Sequence, residues 1–230
     1  LWVTGSGTSK TVLTRYATAL NRVLPVPTQV ASGQCVLVDL FARYPLKKVT
    51  EEKSTTAVKP GVLNGRYRVT FANGNHMTFV SHGETTLLTV KGKLKLQSHL
   101  DREEYVARVL DREAKSTPPE AAKAMTVAIR TYLQQNADRD GDCLSIPDSS
   151  ATQRVSASPA TVGARTITAW TQDLIYAGDP VHYHGSRVTE GTLSWRHATA
   201  QAGQGERYDQ ILAFAYPDNS LSRWGAPRST

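Results

Sequence analysis

The hydrophobic period of this chain changes near Leu100, and that change dictates a mixed fold. From Gln34 to about Leu96 apolar residues alternate with polar ones in short runs, the spacing that puts one face of a strand on a core. Val36–Leu40, Tyr67–Phe71, Met77–Val80, Thr86–Val90 and Leu94–Leu96 are predicted strands. Ala72-Asn73-Gly74-Asn75 supplies the Asn-Gly pair of a tight hairpin, and Glu51–Thr56 with Pro60-Gly61 reads as a polar loop. Beyond Leu100 the period becomes helical. Asp101, with Glu104 three residues on, has the form of a capping-box start, and Tyr105, Val106, Val109 and Leu110 make an apolar face. A second helix begins at Pro119, where proline suits the first turn and Glu120 complements the helix dipole. Its alanines, among them Ala121, Ala124 and Ala128, favour close helix packing.

Past Asn136 the pattern is mixed. Asp138, Asp140 and Asp142 alternate as at the start of a calcium loop, but Gly141 falls too early and Ser149 at the twelfth position carries no carboxylate, so a turn is expected. Ala164–Trp170 reads as a helix, and Asp173–Tyr176 with Val181–His184, joined through Ala177-Gly178-Asp179-Pro180, reads as a hairpin. The order of elements predicts an α+β fold, mainly antiparallel β with a central helical pair.

Composition narrows the class. With 230 residues, 40% of them apolar and 20% charged, the chain can bury a sizeable core as one large domain or two small ones. No apolar run reaches the eighteen or so residues of a membrane span. The net charge of +7 favours anionic partners, but the densest basic cluster, Lys91, Lys93 and Lys95, alternates as the solvated face of a strand. No basic motif interleaved with aromatics is present, so nucleic acid is not an expected partner. Gly5-Ser6-Gly7-Thr8-Ser9-Lys10 lacks the Walker spacing and reads as a flexible leader before a helix at Val12–Leu20. The chain opens on Leu1 and not on Met, so a processed or trimmed product is expected, one from which an export signal could have been removed. Cys35 and Cys143 show no zinc-ligand spacing, and whether they pair is left open by the sequence.

Glu103 to Tyr132 carries a more specific signal. Glu103-Glu104-Tyr105, a hydrophobic stretch, Glu113, a short loop, Pro118-Pro119-Glu120-Ala121, Lys123-Ala124 and Ala128-Ile129-Arg130-Thr131-Tyr132 follow one another as in the SpoIID domain of stage II sporulation protein D and the amidase enhancers, which this stretch resembles. The resemblance extends over roughly residues 60 to 220. It takes in Asp148-Ser149-Ser150-Ala151-Thr152-Gln153, Leu174–Val181, Tyr208–Leu212 and Tyr216-Pro217. Ala151 and Thr152 stand where some relatives have His and Cys, so their metal site is not carried over. The family's His-Ser-x-x-Gly-Gly segment is here His184-Gly185-Ser186-Arg187-Val188-Thr189. The wording of the helices and Gln153–Ser156 is also similar to an uncharacterised group of secreted Gram-negative proteins. The implied organisation is an N-terminal segment of unassigned role over 1–50, then a SpoIID-like domain over 51–230. Within that domain a β module spans 51–100, a helical pair 101–137 and a mixed β/α part 138–230.

The resemblance implies a periplasmic or secreted protein of the bacterial envelope that acts on peptidoglycan glycan strands as a lytic transglycosylase, with Glu113 at the catalytic position, no cofactor and no metal. Other envelope proteins are further candidate partners. A carboxyl held part-buried at a cleft edge can protonate a glycosidic oxygen, and in a lytic transglycosylase the sugar's own 6-hydroxyl completes the reaction. An acid beside Arg112 and Lys115 at a helix end is equally the pattern of a solvated ion pair. Arg130 and Tyr132 are candidate substrate contacts, or else a snorkelling and a packing side chain of a buried helix. Asp148, Ser149, Ser150 and Gln153 could bind sugar or cap a turn. His184, on one strand face with His182, is a further candidate contact; no third ligand to a metal is identifiable there. The alternative is a non-catalytic peptidoglycan-binding or scaffold protein of the same fold.

Overall fold

The computed structural model describes residues 33–185 and 191–225. The expected leader, the helix at Val12–Leu20 and positions 186–189 after His184 lie outside them. Within the described residues the first strands are β1 (Cys35–Leu40), β2 (Leu46–Glu51), β3 (Gly61–Phe71), β4 (His76–Val90) and β5 (Lys93–Asp101). Helices α1 (Arg102–Glu113) and α2 (Pro119–Asn136) follow, then β6 (Asp138–Asp140), β7 (Cys143–Pro147), α3 (Val162–Trp170), β8 (Leu174–Ala177) and β9 (His182–His184). The chain closes with β10 (Thr192–Ser194), α4 (Trp195–Gly203), α5 (Tyr208–Ala215) and β11 (Ser220–Arg223).

Seven strands form one sheet in the order β2-β3-β4-β5-β1-β7-β6. Every neighbour is antiparallel except β1 and β7, where Val36 aligns with Leu144 and Val38 with Ile146. The expected mixed fold with a mainly antiparallel sheet is therefore observed. β1 and β2 flank opposite sides of the β3–β4–β5 meander although only residues 41–45 join them. Four strand spacings on a flat sheet measure about 19 Å, close to the full reach of that link. The meander curls to shorten the path, and β2 comes to rest against β5.

β3 and β4 meet at the Asn73-Gly74 turn, where Gly74 has φ 87° and the Asn73 side chain accepts from Asn75 N at 3.0 Å. Met77–Val80 and Thr86–Val90, expected as two strands, belong to a single β4. Their apparent break at Ser81-His82-Gly83-Glu84 is spanned because Gly83 takes φ 101° and Glu84 Oε2 accepts from His82 N at 2.6 Å. β2 has no counterpart among the expected strands, since Lys47 and Lys48 interrupt its alternation.

Asp101 caps α1, its side chain accepting from Glu103 N at 2.9 Å. α2 packs against α1, α3, α4 and α5, so the helices form a cluster of five about α2 rather than a pair. The small, fully buried Ala121, Ala122, Ala124 and Ala128 let backbones approach on several sides at once. One contiguous core links Val69 and Phe71 of the sheet through Tyr105 and Leu110 of α1 to Ile211 and Leu212 of α5.

Two further expectations change. β8 and β9 do not form a hairpin with each other: β8 pairs antiparallel with β11, and β9 pairs parallel with β10. The intervening 177–180 turn is held by other elements, with Asn219 Nδ2 and Gln135 Nε2 both donating to Asp179 O and Gln135 Oε1 accepting from Val181 N at 2.8 Å. Cys35 and Cys143 are joined in a disulfide that ties the start of β1 to the start of β7. Lys93 and Lys95 lie on the solvated face of β5, as their alternation implies.

Candidate functional site

Three consecutive residues at the start of α1 anchor three different parts of the molecule. Glu103 accepts from Arg130 of α2 through both oxygens, at 3.0 and 2.6 Å. Glu104 accepts twice from Arg165 of α3, at 2.8 and 3.1 Å, and once from Arg108 at 2.9 Å. The Tyr105 hydroxyl donates to Gln153 Oε1 at 2.6 Å. The pattern repeats near the middle of α2. Arg130 also donates to Leu174 O at 2.7 Å, Thr131 Oγ1 accepts from Tyr176 N at 2.8 Å, and the Tyr132 ring meets the Tyr183 ring edge-on with centroids 6.0 Å apart. The two helices thus fix one another, and the tyrosine at the end of each triplet faces a common polar cluster.

Gln153 is the centre of that cluster. It is fully buried, accepts from Tyr105, and donates through Nε2 to Ile129 O at 3.1 Å and to the Tyr183 hydroxyl at 2.8 Å. Burial, then the neighbouring Tyr183 hydroxyl and the Asp148 charge, hold Tyr105 well above the ordinary phenol range, and Glu113 adds to the effect. Burial and the Glu113 charge push Tyr183 up in the same way, against the opposing hydrogen bond from Gln153. Both tyrosines are held in the protonated form and serve as neutral hydrogen-bond partners of Gln153.

The Glu113 carboxylate ends α1. Glu113 is partly buried, and its Oε1 accepts from Arg154 N at 2.8 Å, one residue after Gln153. The 148–155 segment is itself closed into a rigid turn. Asp148 accepts from Phe41 N and Val155 N, both at 2.9 Å, and Ser149 N donates to Gln153 O at 3.1 Å. The Ser149 hydroxyl accepts from Ala151 N at 3.0 Å, and Ser150 Oγ accepts from Arg43 at 2.8 Å.

Of the residues expected at a site, Glu113, Asp148, Ser149, Ser150 and Gln153 are therefore gathered about one segment, with Tyr132 behind Tyr183. Arg130 is not brought to it. Its guanidinium is fully buried and engaged by Glu103, Leu174 O and Thr171. His184 is exposed at the end of β9. Tyr105 and Tyr183 were not singled out from the sequence. The signal for Tyr105 was its place in the Glu-Glu-Tyr triplet, and that for Tyr183 was a tyrosine between two histidines. Among the described residues one trio has metal-ligand geometry, Cys35, His99 and Cys143. Its two sulfurs are bonded to each other, so only the His99 nitrogen is left as a ready donor.

Residues 90–178, from the last residue of β4 through β8, match the family described as stage II sporulation protein, SpoIID. The matched stretch is similar to SpoIID proteins. It contains both triplets, Glu113 and Gln153, and ends before Tyr183. Residues 191–230 match a second family, described as predicted secreted protein (DUF2300). The chain is 92% identical over 230 residues to the uncharacterized protein YfaQ of Escherichia coli strain K12, and spans 42% of that relative's length. No solved structure matches the chain. The SpoIID family is associated with cell-wall-related function. A periplasmic or secreted location agrees with the secreted description of the second family. It also agrees with the closed disulfide, a bond that persists in oxidising compartments. No helix among the described residues is long and apolar enough to cross a membrane.

Proposed function

We propose that this chain acts on peptidoglycan and cleaves its glycan strands as a lytic transglycosylase, with Glu113 as the single general acid and base. The supporting observation is the setting of the Glu113 carboxylate: at the end of a buried helix, fixed by Arg154 N, and within electrostatic reach of the neutral hydroxyls of Tyr105 and Tyr183. Protonated Glu113 gives its proton to the glycosidic oxygen as the bond to the anomeric carbon breaks. The sugar's own 6-hydroxyl then bonds to that carbon, and its proton returns to the carboxylate. No enzyme nucleophile and no water are consumed, so one acid suffices where hydrolytic glycosidases use two. Gln153 and the tyrosines hold the core behind the 148–155 segment in one arrangement, since each polar atom of the chain Tyr105–Gln153–Tyr183 fixes the next. Asp148, Ser149 and Ser150 shape the adjoining rim.

A second reading is a non-catalytic wall-binding protein of the same fold. It is favoured by Asp148 and Ser149 being occupied in closing their own turn. The two separate on incubation of the purified protein with denuded glycan strands followed by mass spectrometry. Anhydro-muramic ends are expected with wild type and are expected to vanish with Glu113→Gln. Wall binding by both proteins with products from neither would discard the enzyme in favour of the binding protein.

A further inference from the structure

A groove of about 810 Å³ runs along the 148–158 segment, between the β3–β4 turn and the corner that follows β1. Glu113 does not itself line the groove, and the link to its carboxylate runs through two neighbours. Arg112, next to Glu113 in the chain, lines it, as does Arg154, whose N–H holds Glu113 Oε1. Arg43 is the third cation on its walls, and Asp148 is the one carboxylate. Both Asp148 oxygens are taken by the amides of Phe41 and Val155, which leaves none directed to the arginines.

The arginines of the interior behave differently. Arg102, Arg108, Arg130 and Arg165 each meet a carboxylate within 4 Å. Among the described residues Arg43, Arg112 and Arg154 form no such pair, and all three are exposed. Arg43 only donates to Ser150 Oγ. Guanidinium groups are planar forks suited to two carboxylate oxygens, and three of them in one cleft with no acid to receive them form an anion-directed surface. The groove is not purely electrostatic. Phe41, Phe71 and Tyr44 form an aromatic wall, with ring centroids 5.3 and 5.7 Å apart, and Tyr44 is 55% exposed. An aromatic face beside amide and hydroxyl groups offers the apolar face and the polar edge of a sugar ring their respective partners.

We infer that this groove binds a glycan segment bearing free carboxylates, with sugar rings against Tyr44 and the carboxylates paired to Arg43, Arg112 and Arg154. The identity of that glycan as peptidoglycan rests on the function proposed above, while the preference for carboxylated over neutral sugar does not. It is a charge-reading extension of the Glu113 site, one that selects strands by their lactyl groups.

The test uses the whole chain carrying Glu113→Gln, which removes turnover, and two probes of equal length. One is a tetrasaccharide of alternating N-acetylglucosamine and N-acetylmuramic acid without stem peptides; the other is fully N-acetylated chitotetraose, which has the same backbone and no charge. Calorimetry is expected to show the carboxylated sugar binding at least about tenfold tighter, with an advantage that shrinks as salt is added. Adding R43Q, R112Q and R154Q is expected to lower its affinity to that of chitotetraose, while chitotetraose binding and thermal stability stay unchanged. Equal binding of the two sugars, or undiminished discrimination by the triple variant, would overturn the inference. So would tighter binding of inorganic tripolyphosphate than of the carboxylated sugar, which would assign the groove to a phosphate polymer. Arginine-dependent binding without anhydro products from wild type would remove the transglycosylase and leave the groove. Products formed without any preference for the carboxylated sugar would remove the groove alone.

Discussion

Gln153 carries more of the site's geometry than any other single residue. Its amide is buried with each end committed, so replacement by leucine strands the Tyr105 hydroxyl in a dry interior and frees Tyr183 from its donor. Such an unsatisfied group costs about 1–3 kcal/mol. Gln153→Leu is expected to lower stability by that amount in urea titration, and to slow strand cleavage with little change in overall fold by circular dichroism. Tyr105→Phe removes the stranded hydroxyl. The double variant should therefore lose less than the sum of the two single losses, whereas additive losses would mean the contact does not couple them. Gln153 stood out from its motif as a candidate sugar contact, yet its amide is buried and committed to Tyr105, Ile129 O and Tyr183. Arg130 was legible too, but its role was not: a long basic side chain in a helix can point to a cleft or into the core, and only the position of Glu103 across the helix pair decides it.

Among the elements, α1 is fastened by charge as well as by its apolar face of Tyr105, Val106, Val109 and Leu110. Arg108 is fully buried between Glu84 of β4 and Glu104, and Glu104 also receives Arg165 of α3, so two acids and two arginines tie a strand to two helices. Burial alone would raise the Glu104 carboxyl, but the hydrogen bond from Arg165, the Arg108 charge and the Ala160 amide outweigh it and hold Glu104 below its ordinary range. A carboxylate depressed on folding adds stability above its unfolded pKa of about 4.3, and that contribution fades as pH falls through the lower folded value. Glu104→Gln is expected to cost roughly 3 kcal/mol at pH 7, because Arg165 and half of Arg108 lose their partner. It should also flatten the loss of stability below about pH 4.3. Urea midpoints at pH 7 and pH 3.5 measure both, and an unchanged acid slope would exclude Glu104 as its source. Elements set by adjacent residues were legible in the chain: Asp101 caps α1 and Asn73-Gly74 turns β3 into β4 because a cap and a turn need only their own neighbours. The β8–β9 hairpin was misread because strand partners are chosen by the whole molecule. β11 is over forty residues from β8, and no local pattern announces it.

For the whole molecule, the disulfide closes the largest loop. Cys35 and Cys143 are 108 residues apart in sequence, and a cross-link over such a span stabilises by about 4 kcal/mol through the entropy removed from the unfolded chain. Replacing both by alanine is expected to lower the unfolding free energy by that order. Adding a thiol reductant should bring wild type down to the level of the variant in thermal unfolding. If reductant leaves the transition in place, the bond is either shielded or carries little stability.

The position of β1 has a consequence for how the chain assembles. Its two neighbours are β5, where Cys35 lies opposite Asp101, and β7, where Val36 lies opposite Leu144. The β3–β4–β5 meander needs only adjacent hairpins, so it can form early. β1 must wait, because its slot has a second wall only after α1, α2 and β7 have arrived, and closing such distant contacts is slow. Until then the free rim of β5 is a surface on which another copy could dock in place of β1. The earliest described strand of the seven-stranded sheet is thus enclosed only after a partner about a hundred residues later has formed.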